Sequence, residues 1–350
     1  MGKKANNGAY IISGNLKKKK KKLIVANVLL SIVLVFSTLS SAFLGAVWYY
    51  MGDMKQNEIT SNLSELGIES ETSKLDDDII NIAMFGVDSR NTNKTTGRSD
   101  SIIILSVDTN KKTIKTTSIL RDSYVPVTGY GMQKINAAYA KGGPVLAINT
   151  LNKNFKLNIT EYVTVNFSML ADVIDIMGGI DLEITEKERQ QINWLIGSED
   201  FESSYKTPLV KKSGLVHLNG KQAMHYARIR KIDSDAVRSQ RQAKVLDLLL
   251  DKVKKTNISK YPGILKSVMK HVETSLSYSE ILSYAPLVSN LGSIESTYVP
   301  DAKQDVNVKG GTYKNAGWVY RYDIDAAADR IHEFIYGDGE TDSSTSANSK

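Results

Sequence analysis

Residues 23–50 form an uncharged segment that directly follows six consecutive lysines, Lys17–Lys22. The segment is 28 residues long and consists mostly of Leu, Ile, Val, Ala, Ser and Phe, whereas a helix needs about 20 apolar residues to cross a bilayer. The apolar region of a cleaved signal peptide is only about 7–15 residues long. Trp48, Tyr49 and Tyr50 end the segment, and such rings prefer the lipid–water interface. The segment therefore predicts one uncleaved transmembrane helix.

The lysines also predict the orientation of the chain, because basic flanks stay on the cytoplasmic side of a membrane. Everything after Asp53 is then expected outside the cytoplasm. The polar residues that follow the helix are typical of a stalk or a short exposed helix, and the Gly-, Ser- and acid-rich end of the chain is typical of disorder. The predicted organisation is a cytoplasmic basic tail at 1–22, a transmembrane helix at 23–50, an extracellular stalk at 51–77, one extracellular domain at 78–336 and a disordered tail at 337–350.

The net charge of +7 belongs to the N-terminal tail and not to the domain. Residues 1–22 contain eight lysines and no acidic residue, so the rest of the chain has a formal net charge of −1. A nucleic-acid partner is therefore not expected, since such partners need a basic surface on the domain. The chain has no cysteine, which excludes disulfides, thiolate metal sites and a thiol nucleophile.

Short apolar segments alternate with helical patterns along the predicted domain, which is typical of an α/β fold with helices on the faces of a central sheet. Gly142-Gly143-Pro144 opens the second part of one helical stretch, and Gly178-Gly179 ends another. Ser168 and Asp235 are the expected N-caps of two helices. The expected strands are 79–87, 101–107, 112–120, 162–167, 180–184 and 223–229, and the expected helices are 134–153, 168–177, 235–253, 278–291 and 323–335.

Two charged clusters follow the ends of predicted strands, where ligands of α/β sheets bind. The first contains Asp88, Arg98 and Asp100, and the second is Arg121-Asp122, followed by Lys134. Two carboxylates at adjacent strands can share a hard cation such as Mg²⁺. The alternative interpretation is a set of turn residues and surface ion pairs, which contribute little to stability.

A third cluster contains five arginine and glutamine side chains within 15 residues. Arg228 and Arg230 are expected on one face of a strand, and Arg238, Arg241 and Gln242 are neighbours on a helix. The planar guanidinium group matches phosphate oxygens, so convergent arginines predict a phosphate or pyrophosphate site. The alternative is an ordinary solvated helix face.

A further set of apolar residues is compatible with either a lipid groove or a plain core. It consists of the Val, Ile and Met residues at 163, 165, 173, 174, 176 and 177. Their spacing is more typical of core residues.

The three clusters, taken in order, resemble the LytR–CpsA–Psr family of Gram-positive envelope proteins. The segments that carry the resemblance cover about residues 80–253 and are NIAMFGVDSR, GRSDSIIILSVD, TTSILRDSYV, KINAAYAKGG, VNFSMLADVIDIMGGIDLEI, LNGKQAMHYARIRK and RSQRQ. The resemblance implies an α/β/α domain with a central mixed sheet and a deep apolar groove for a polyprenyl chain.

The resemblance also implies an activity, the transfer of a glycopolymer from a polyprenyl-pyrophosphate carrier to peptidoglycan with Mg²⁺ (or Mn²⁺). Wall teichoic acid and capsular polysaccharide are the usual cargo of the family. Asp88 and Asp100 are then the expected metal ligands, and Asp122 or Asp88 the expected proton acceptor. The implied pyrophosphate site consists of Arg98, Arg121, Lys134, Arg228, Arg230, Asp235, Arg238 and Gln242.

Three rival functions remain open from the sequence. The domain can be a hydrolase of the pyrophosphate lipid, a non-catalytic envelope-binding protein, or a regulatory protein. The regulatory alternative arises because parts of the family were first described as transcription attenuators. The last of these is disfavoured, because the charge outside residues 1–22 is −1 and the domain is expected across a membrane from the nucleic acid.

Overall fold

The computed structural model describes residues 57, 59–70, 72, 75, 78–87, 97–199, 206–277, 279–281, 283–284, 294–313 and 316–337, without the side chains of residues 235, 258 and 270. These residues belong to one compact unit, Met54–Lys350. The basic tail, the predicted transmembrane helix at 23–50 and residues 338–350 lie outside the described residues. Among the helices that are described, none is long and apolar enough to span a membrane.

A six-stranded mixed sheet forms the centre of the domain, with the strand order β10-β3-β2-β1-β6-β9. The pairs β1–β2, β2–β3 and β6–β9 are antiparallel, and β1–β6 and β3–β10 are parallel. Three two-stranded ladders, β4–β5, β7–β8 and β11–β12, lie outside this sheet. The strands are β1 Ile79–Val87, β2 Ser99–Asp108, β3 Thr113–Ile119, β4 Tyr124–Val127, β5 Gly131–Lys134, β6 Glu161–Asn166, β7 Ile180–Ile184, β8 Gly214–Leu218, β9 Glu273–Thr274, β10 Ile294–Val299, β11 Lys309–Thr312 and β12 Trp318–Arg321.

Helices pack on both faces of this sheet, as the sequence pattern predicted. One face packs against α1 and α7 through a core that includes Phe85, Ile104 and Leu151. A second core, which includes Ile174 and Ala223, joins helices on the opposite face to the β7–β8 ladder. The helices are α1 Asn136–Phe155, α2 Phe167–Ile176, α3 Glu186–Glu199, α4 Gly220–Ala227, α5 Asp235–Lys254, α6 Tyr261–Val268 and α7 Ile324–Tyr336.

The predicted strand at 223–229 is wrong, because residues 220–227 form helix α4. Asn219 accepts a hydrogen bond from the Gln222 backbone, and the Gln222 side chain bonds back to the Asn219 backbone. This capping box satisfies two backbone donors at the start of the helix. A short apolar run fits a strand or a buried helix equally well, and the capping residues decide between them.

Two predicted N-caps are also one or two residues out of place. Asn166, and not Ser168, caps α2 by accepting from Met169 N, and Ser234, and not Asp235, caps α5 by accepting from Val237 N. The predicted end of α2 at Gly178-Gly179 is confirmed, and both glycines have positive φ. The chain also departs from helical geometry at Gly142 and Gly143, just before Pro144.

Part of the predicted stalk belongs to the globular domain. Leu66 is 1% exposed and lies in the core beside α1. The side chains of Asn149 and Asn152 donate to the backbone oxygens of Glu65 and Leu66, both at 2.8 Å. Residues 66–68 are therefore buried against the domain, whereas residues 61–65 and 69–70 remain exposed.

Gly220 lies where α4 approaches Ala171 of α2 closely, and we predict that Gly220→Ala destabilises the protein. A Cβ at this position would meet the backbone oxygen of Ala171 at 1.9 Å, so the two helices must separate. Overpacking of this kind costs about 1–3 kcal/mol, measurable as a lower urea midpoint. Gly197→Ala in α3 is the control, because nothing lies within 4 Å of its Cβ, and it should stabilise slightly. Equal midpoints for the two variants would contradict the packing.

Candidate active site

Asp100 lies at the centre of the candidate site and is bound by two arginines. It occupies the start of β2 and is 9% exposed. Arg121 Nη1 donates to Asp100 Oδ1 at 3.0 Å, and Arg230 Nη2 donates to Oδ2 at 2.6 Å. Arg121 follows β3, which is antiparallel to β2, and Arg230 follows α4 in the chain. The sheet register thus brings Asp100 of the first predicted cluster beside Arg121 of the second, and the loop before α5 adds Arg230 of the third.

Arg238 completes the positive charge around this carboxylate. It lies in the second turn of α5 and is 1% exposed. Burial by itself raises the pKa of Asp100, but the charges of Arg121, Arg230 and Arg238 together with the Arg121 hydrogen bond outweigh it, so the pKa falls below 3.8. Asp100 is therefore ionised at neutral pH, inside a site of net positive charge that is suited to an anion.

The lowered pKa of Asp100 predicts a pH-dependent contribution to stability. Because the pKa is depressed in the folded state, this contribution is fully present above the unfolded-state value near 3.8 and is lost as the pH falls through the folded-state pKa. We expect the stability difference between the wild type and Asp100→Asn to shrink below pH 3.8. Urea unfolding at neutral pH and at successively lower pH values measures this difference, and a difference that does not change with pH would refute the assignment.

Asp122 is the second carboxylate of the site, and Arg121 contacts both Asp122 and Asp100. Its carboxylate is 2.7 Å from Lys134 Nζ and 3.3 Å from Arg121 Nε. Lys134 is the last residue of β5, and Asp122 lies two residues before the start of β4. Arg121 therefore lies between two carboxylates, and the interpretation of Arg121-Asp122 as a plain surface pair is wrong: Asp122 is 9% exposed.

The remaining predicted residues are placed less centrally. Arg228 is not on a strand; it caps α4, pairs with Glu199 and lies 4.9 Å from the ring of Phe167. Gln242 donates to the Ala227 backbone oxygen at 3.4 Å. Arg98 is exposed just before β2. Asp88 lies outside the described residues, and Asp235 begins α5 with a side chain that is likewise not described.

Arg241 is the one arginine of the predicted helix face that the structure separates from the site. Its guanidinium group binds Glu188 Oε1 at 2.8 Å and both oxygens of Asp233. At 4% side-chain exposure, it holds the loop before α5 against α3. The predicted set of three neighbours therefore divides into a site arginine, a structural arginine and the glutamine.

Two apolar cavities extend away from the arginines on the face of the sheet that carries α2 and α5. The first, about 630 Å³, begins beside Gln242 and is lined by Val163, Val165, Phe167 and Leu170. The second, about 780 Å³, is lined by Val173, Met177 and residues of α5 and α6. Leu249 lines both cavities, so they adjoin.

The cavities divide the apolar set into residues that line open space and residues that pack in the core. Val163, Val165, Val173 and Met177 line the cavities, whereas Ile174 is fully buried in the core. The contributions of α5 and α6 were missed, because Val245, Leu246 and Leu249 have the spacing of ordinary core residues. Nothing in the sequence distinguishes an apolar side chain that meets another helix from one that meets a cavity.

Comparison with known proteins places this geometry in a family. The sequence matches the LytR_cpsA_psr family over residues 47–333. The chain belongs to the LytR–CpsA–Psr family. The expectation from the sequence motifs is thus confirmed, and the mixed α/β architecture is the fold of this family.

Three similar proteins illustrate the match. The polyisoprenyl-teichoic acid–peptidoglycan teichoic acid transferase TagT of Bacillus subtilis is 30% identical over 248 residues, which cover 69% of this chain and 71% of TagT. TagV, of the same name and organism, is 34% identical over 61% of this chain, and the aligned part spans about half (54%) of TagV. A solved structure of TagT with bound octaprenyl pyrophosphate lipid has a TM-score of 0.55 and 22% identity, covering 74% of this chain and 91% of that one.

Proposed function

We propose that this chain transfers a glycopolymer, either wall teichoic acid or a capsular or related polysaccharide, from a polyprenyl-pyrophosphate carrier to peptidoglycan. The observation that carries the proposal is the junction of a charged site and an apolar cavity. Gln242, which lines the cavity, lies one turn of α5 from Arg238. A lipid pyrophosphate has the same division into an anionic head and an apolar chain. The transferase names of TagT and TagV support the same activity.

The proposed reaction is a phosphoryl transfer. A hydroxyl oxygen of the acceptor forms a bond to the phosphorus that carries the glycopolymer, and the bond from that phosphorus to the oxygen bridging the two phosphates breaks. Polyprenyl phosphate leaves with the bonding electrons, and the product is a phosphodiester between acceptor and polymer. Negative charge spreads over the phosphate oxygens in the transition state, and preorganised arginines stabilise such charge.

Each described residue of the site has a role in this proposal. Arg121, Arg230 and Arg238 bind the pyrophosphate oxygens, and Arg98, Arg228 and Gln242 border the site. Asp122 takes the proton of the attacking hydroxyl. Lys134 Nζ lies 2.7 Å from the Asp122 carboxylate, so it orients that carboxylate and stabilises negative charge beside it. Asp88 is the alternative proton acceptor. Asp235 remains in the proposed pyrophosphate site because it begins α5, and the backbone N–H groups at the start of a helix bind anions.

Mg²⁺ (or Mn²⁺) is part of the proposal, with Asp88 and Asp100 as ligands. Both Asp100 oxygens accept from arginines, yet each carboxylate oxygen has a second lone pair. Mg²⁺ is commonly held by one or two carboxylates together with substrate phosphates, which suits this donor set. Among the described residues no group of three or more acidic, His or Cys side chains forms a complete metal site. The ion would neutralise charge on the phosphate oxygens.

The predicted membrane helix and orientation complete the proposal. With the N-terminus in the cytoplasm and the domain outside, the helix would tether the domain to the membrane that holds the lipid-linked polymer. Mass spectrometry of lipid that co-purifies with the full chain tests the ligand class. We expect a polyprenyl phosphate or pyrophosphate at near-stoichiometric amount; consistent recovery of phospholipid alone, with no exchange for added polyprenyl pyrophosphate, would refute the carrier assignment.

A further inference from the structure

An aromatic surface borders the Asp122 side of the site. It consists of Tyr313, Trp318 and Tyr320, from the β11–β12 ladder and the residue that follows β11, together with Tyr124 of β4. We call these four residues the aromatic surface. Trp318 is 43% exposed, and its ring packs edge-on against that of Tyr320, with 4.5 Å between centroids. The described surface of this domain thus displays large rings beside its charged site.

The backbone of the ladder holds Trp318 in place. Val319 is fully buried, so the alternation of side chains along β12 puts its two neighbours, Trp318 and Tyr320, on the opposite face. A Cβ at Gly310 would meet the indole of Trp318 at 2.8 Å, so the glycine is what allows the ring to lie against β11. The position of this ring is therefore set by packing and not by chance exposure.

A second ring pair connects the ladder to β4. The rings of Tyr124 and Tyr313 are 5.5 Å apart and nearly perpendicular, and the guanidinium of Arg321 lies 4.5 Å from the centre of the Tyr313 ring. Tyr124 pairs directly with Lys134 in the β4–β5 register, so the two side chains lie on one face of that ladder. Lys134 in turn contacts Asp122.

The aromatic surface also reaches Asp122 through the backbone. Tyr320 N donates to the Asp122 backbone oxygen at 2.9 Å, and Tyr320 forms an isolated bridge with Ser123. A path therefore leads from the cavity and Arg238, whose charge acts on Asp100, through the contacts of Arg121 with Asp100 and Asp122, to the aromatic surface. The rings lie at the end of this path that is farthest from the cavity.

We propose that the aromatic surface binds the glycan strand of the peptidoglycan acceptor, an inference that rests on the proposed function. A sugar ring presents a face of polarised C–H bonds, which pack on the negative face of an aromatic ring. Its hydroxyl and acetamido groups match the phenol groups of the tyrosines and the guanidinium of Arg321 as hydrogen-bonding partners. A surface of one exposed ring and three half-buried rings with polar edges thus fits a neutral glycan better than an apolar protein segment.

The order of contacts identifies the acceptor, and not the donor polymer, as the occupant. In phosphoryl transfer the attacking and leaving oxygens lie roughly in line on opposite sides of phosphorus. The leaving polyprenyl phosphate occupies the cavity side of the arginines in the proposed reaction. The acceptor hydroxyl must then arrive from the Asp122 side, where the proposed proton acceptor and the aromatic surface lie together.

Cosedimentation of the full chain in detergent with insoluble peptidoglycan, stripped of lipid and of attached polymers, tests this proposal. We expect Trp318→Ala to weaken binding about tenfold, equivalent to about 1.4 kcal/mol, and to raise the acceptor concentration needed for half-maximal transfer. Trp318→Tyr keeps a ring at the position and should retain most of the binding. Thermal stabilisation by added polyprenyl pyrophosphate should be the same in both variants as in the wild type.

Trp194→Ala is the matched control, because Trp194 is 50% exposed but lies on α3, with Lys231 Nζ 3.6 Å from its ring centre. It should sediment like the wild type. Undiminished sedimentation of folded Trp318→Ala, or an equal loss in Trp194→Ala, overturns the proposal. If Trp318→Ala is unfolded, the same criterion applies to Trp318→Gln and to Tyr313→Ala. Failure to bind polyprenyl pyrophosphate would instead refute the donor assignment, because peptidoglycan sedimentation does not depend on it.

Discussion

Arg121→Ala is expected to lower the rate of polymer transfer by about a thousandfold or more while leaving the fold intact. Arg121 is the one side chain that contacts both Asp100 and Asp122 among the described residues. A single arginine that stabilises charge in a phosphoryl-transfer transition state contributes about 10³–10⁵ in rate. Asp100 keeps its bond to Arg230 at 2.6 Å, so the truncation does not leave a buried carboxylate without a cation. The rate of polymer attachment to peptidoglycan fragments, measured beside the urea midpoint, tests both parts of this prediction.

Arg189→Ala is the control for Arg121→Ala. Arg189 has a similar side-chain exposure, 24% against 21% for Arg121, and is likewise paired with a carboxylate, that of Glu186. It lies on α3 and contacts neither Asp100 nor Asp122 in the contacts described. We expect its transfer rate to match the wild type. If Arg121→Ala transfers polymer at the rate of Arg189→Ala, Arg121 has no role in the reaction.

Arg241→Ala is expected to destabilise the protein strongly, with a loss of about 3–5 kcal/mol in the free energy of unfolding. The truncation leaves Glu188 and Asp233 partly buried, at 13% and 22% side-chain exposure, without the cation that binds both. Removing one partner of a buried ion pair is costly because the remaining charge stays desolvated. Urea unfolding at neutral pH measures the loss.

Lys255→Ala serves as the comparison for Arg241→Ala. Its ammonium group pairs with Asp251 at 3.0 Å but is 78% exposed, and exposed pairs contribute little. The midpoint of this variant should stay at the wild-type value. A midpoint for Arg241→Ala that also stays at the wild-type value would show that the loop before α5 is held by other contacts.

Two arginines of α5 show what the sequence could and could not distinguish. Arg238 and Arg241 are three residues apart on one helix, and the spacing predicts that they are neighbours. Their different surroundings depend on Glu188, which is 53 residues away from Arg241 in sequence, and on the Asp100 carboxylate beside Arg238. Partners at such separations are set by tertiary packing, which local spacing does not encode.

Strands β1 and β2 were predictable because their sequences contain nearly continuous apolar runs. Residues 79–87 were expected as a strand with the bounds that the structure shows. The β1–β2–β3 antiparallel register then brings Asp100 and Arg121 to one edge, as the positions of the two clusters at strand ends suggested. Helix α4 was missed because its eight residues contain a short apolar run, and such a run does not distinguish strand from helix.

The packing of residues 59–70 was missed for a different reason. This segment is polar apart from a few side chains, and single apolar residues such as Leu66 and Ile68 give no periodic pattern. Their burial, at 1% and 7% exposure, depends on asparagine side chains of α1 that bind the backbone of the segment. Backbone recognition of this kind leaves no signal in the sequence of the segment that is recognised.

The most direct test of the proposed activity is a reaction of the purified full chain with polyprenyl-pyrophosphate-linked polymer, with and without peptidoglycan fragments, in Mg²⁺. Both products are measured together: free polyprenyl phosphate, and polymer joined to the fragments through a phosphodiester. We expect the two products to appear in equal amounts and both to depend on the fragments. Release of polyprenyl phosphate at the same rate without fragments, and with no joined product, would make the protein a hydrolase and contradict the proposed transfer.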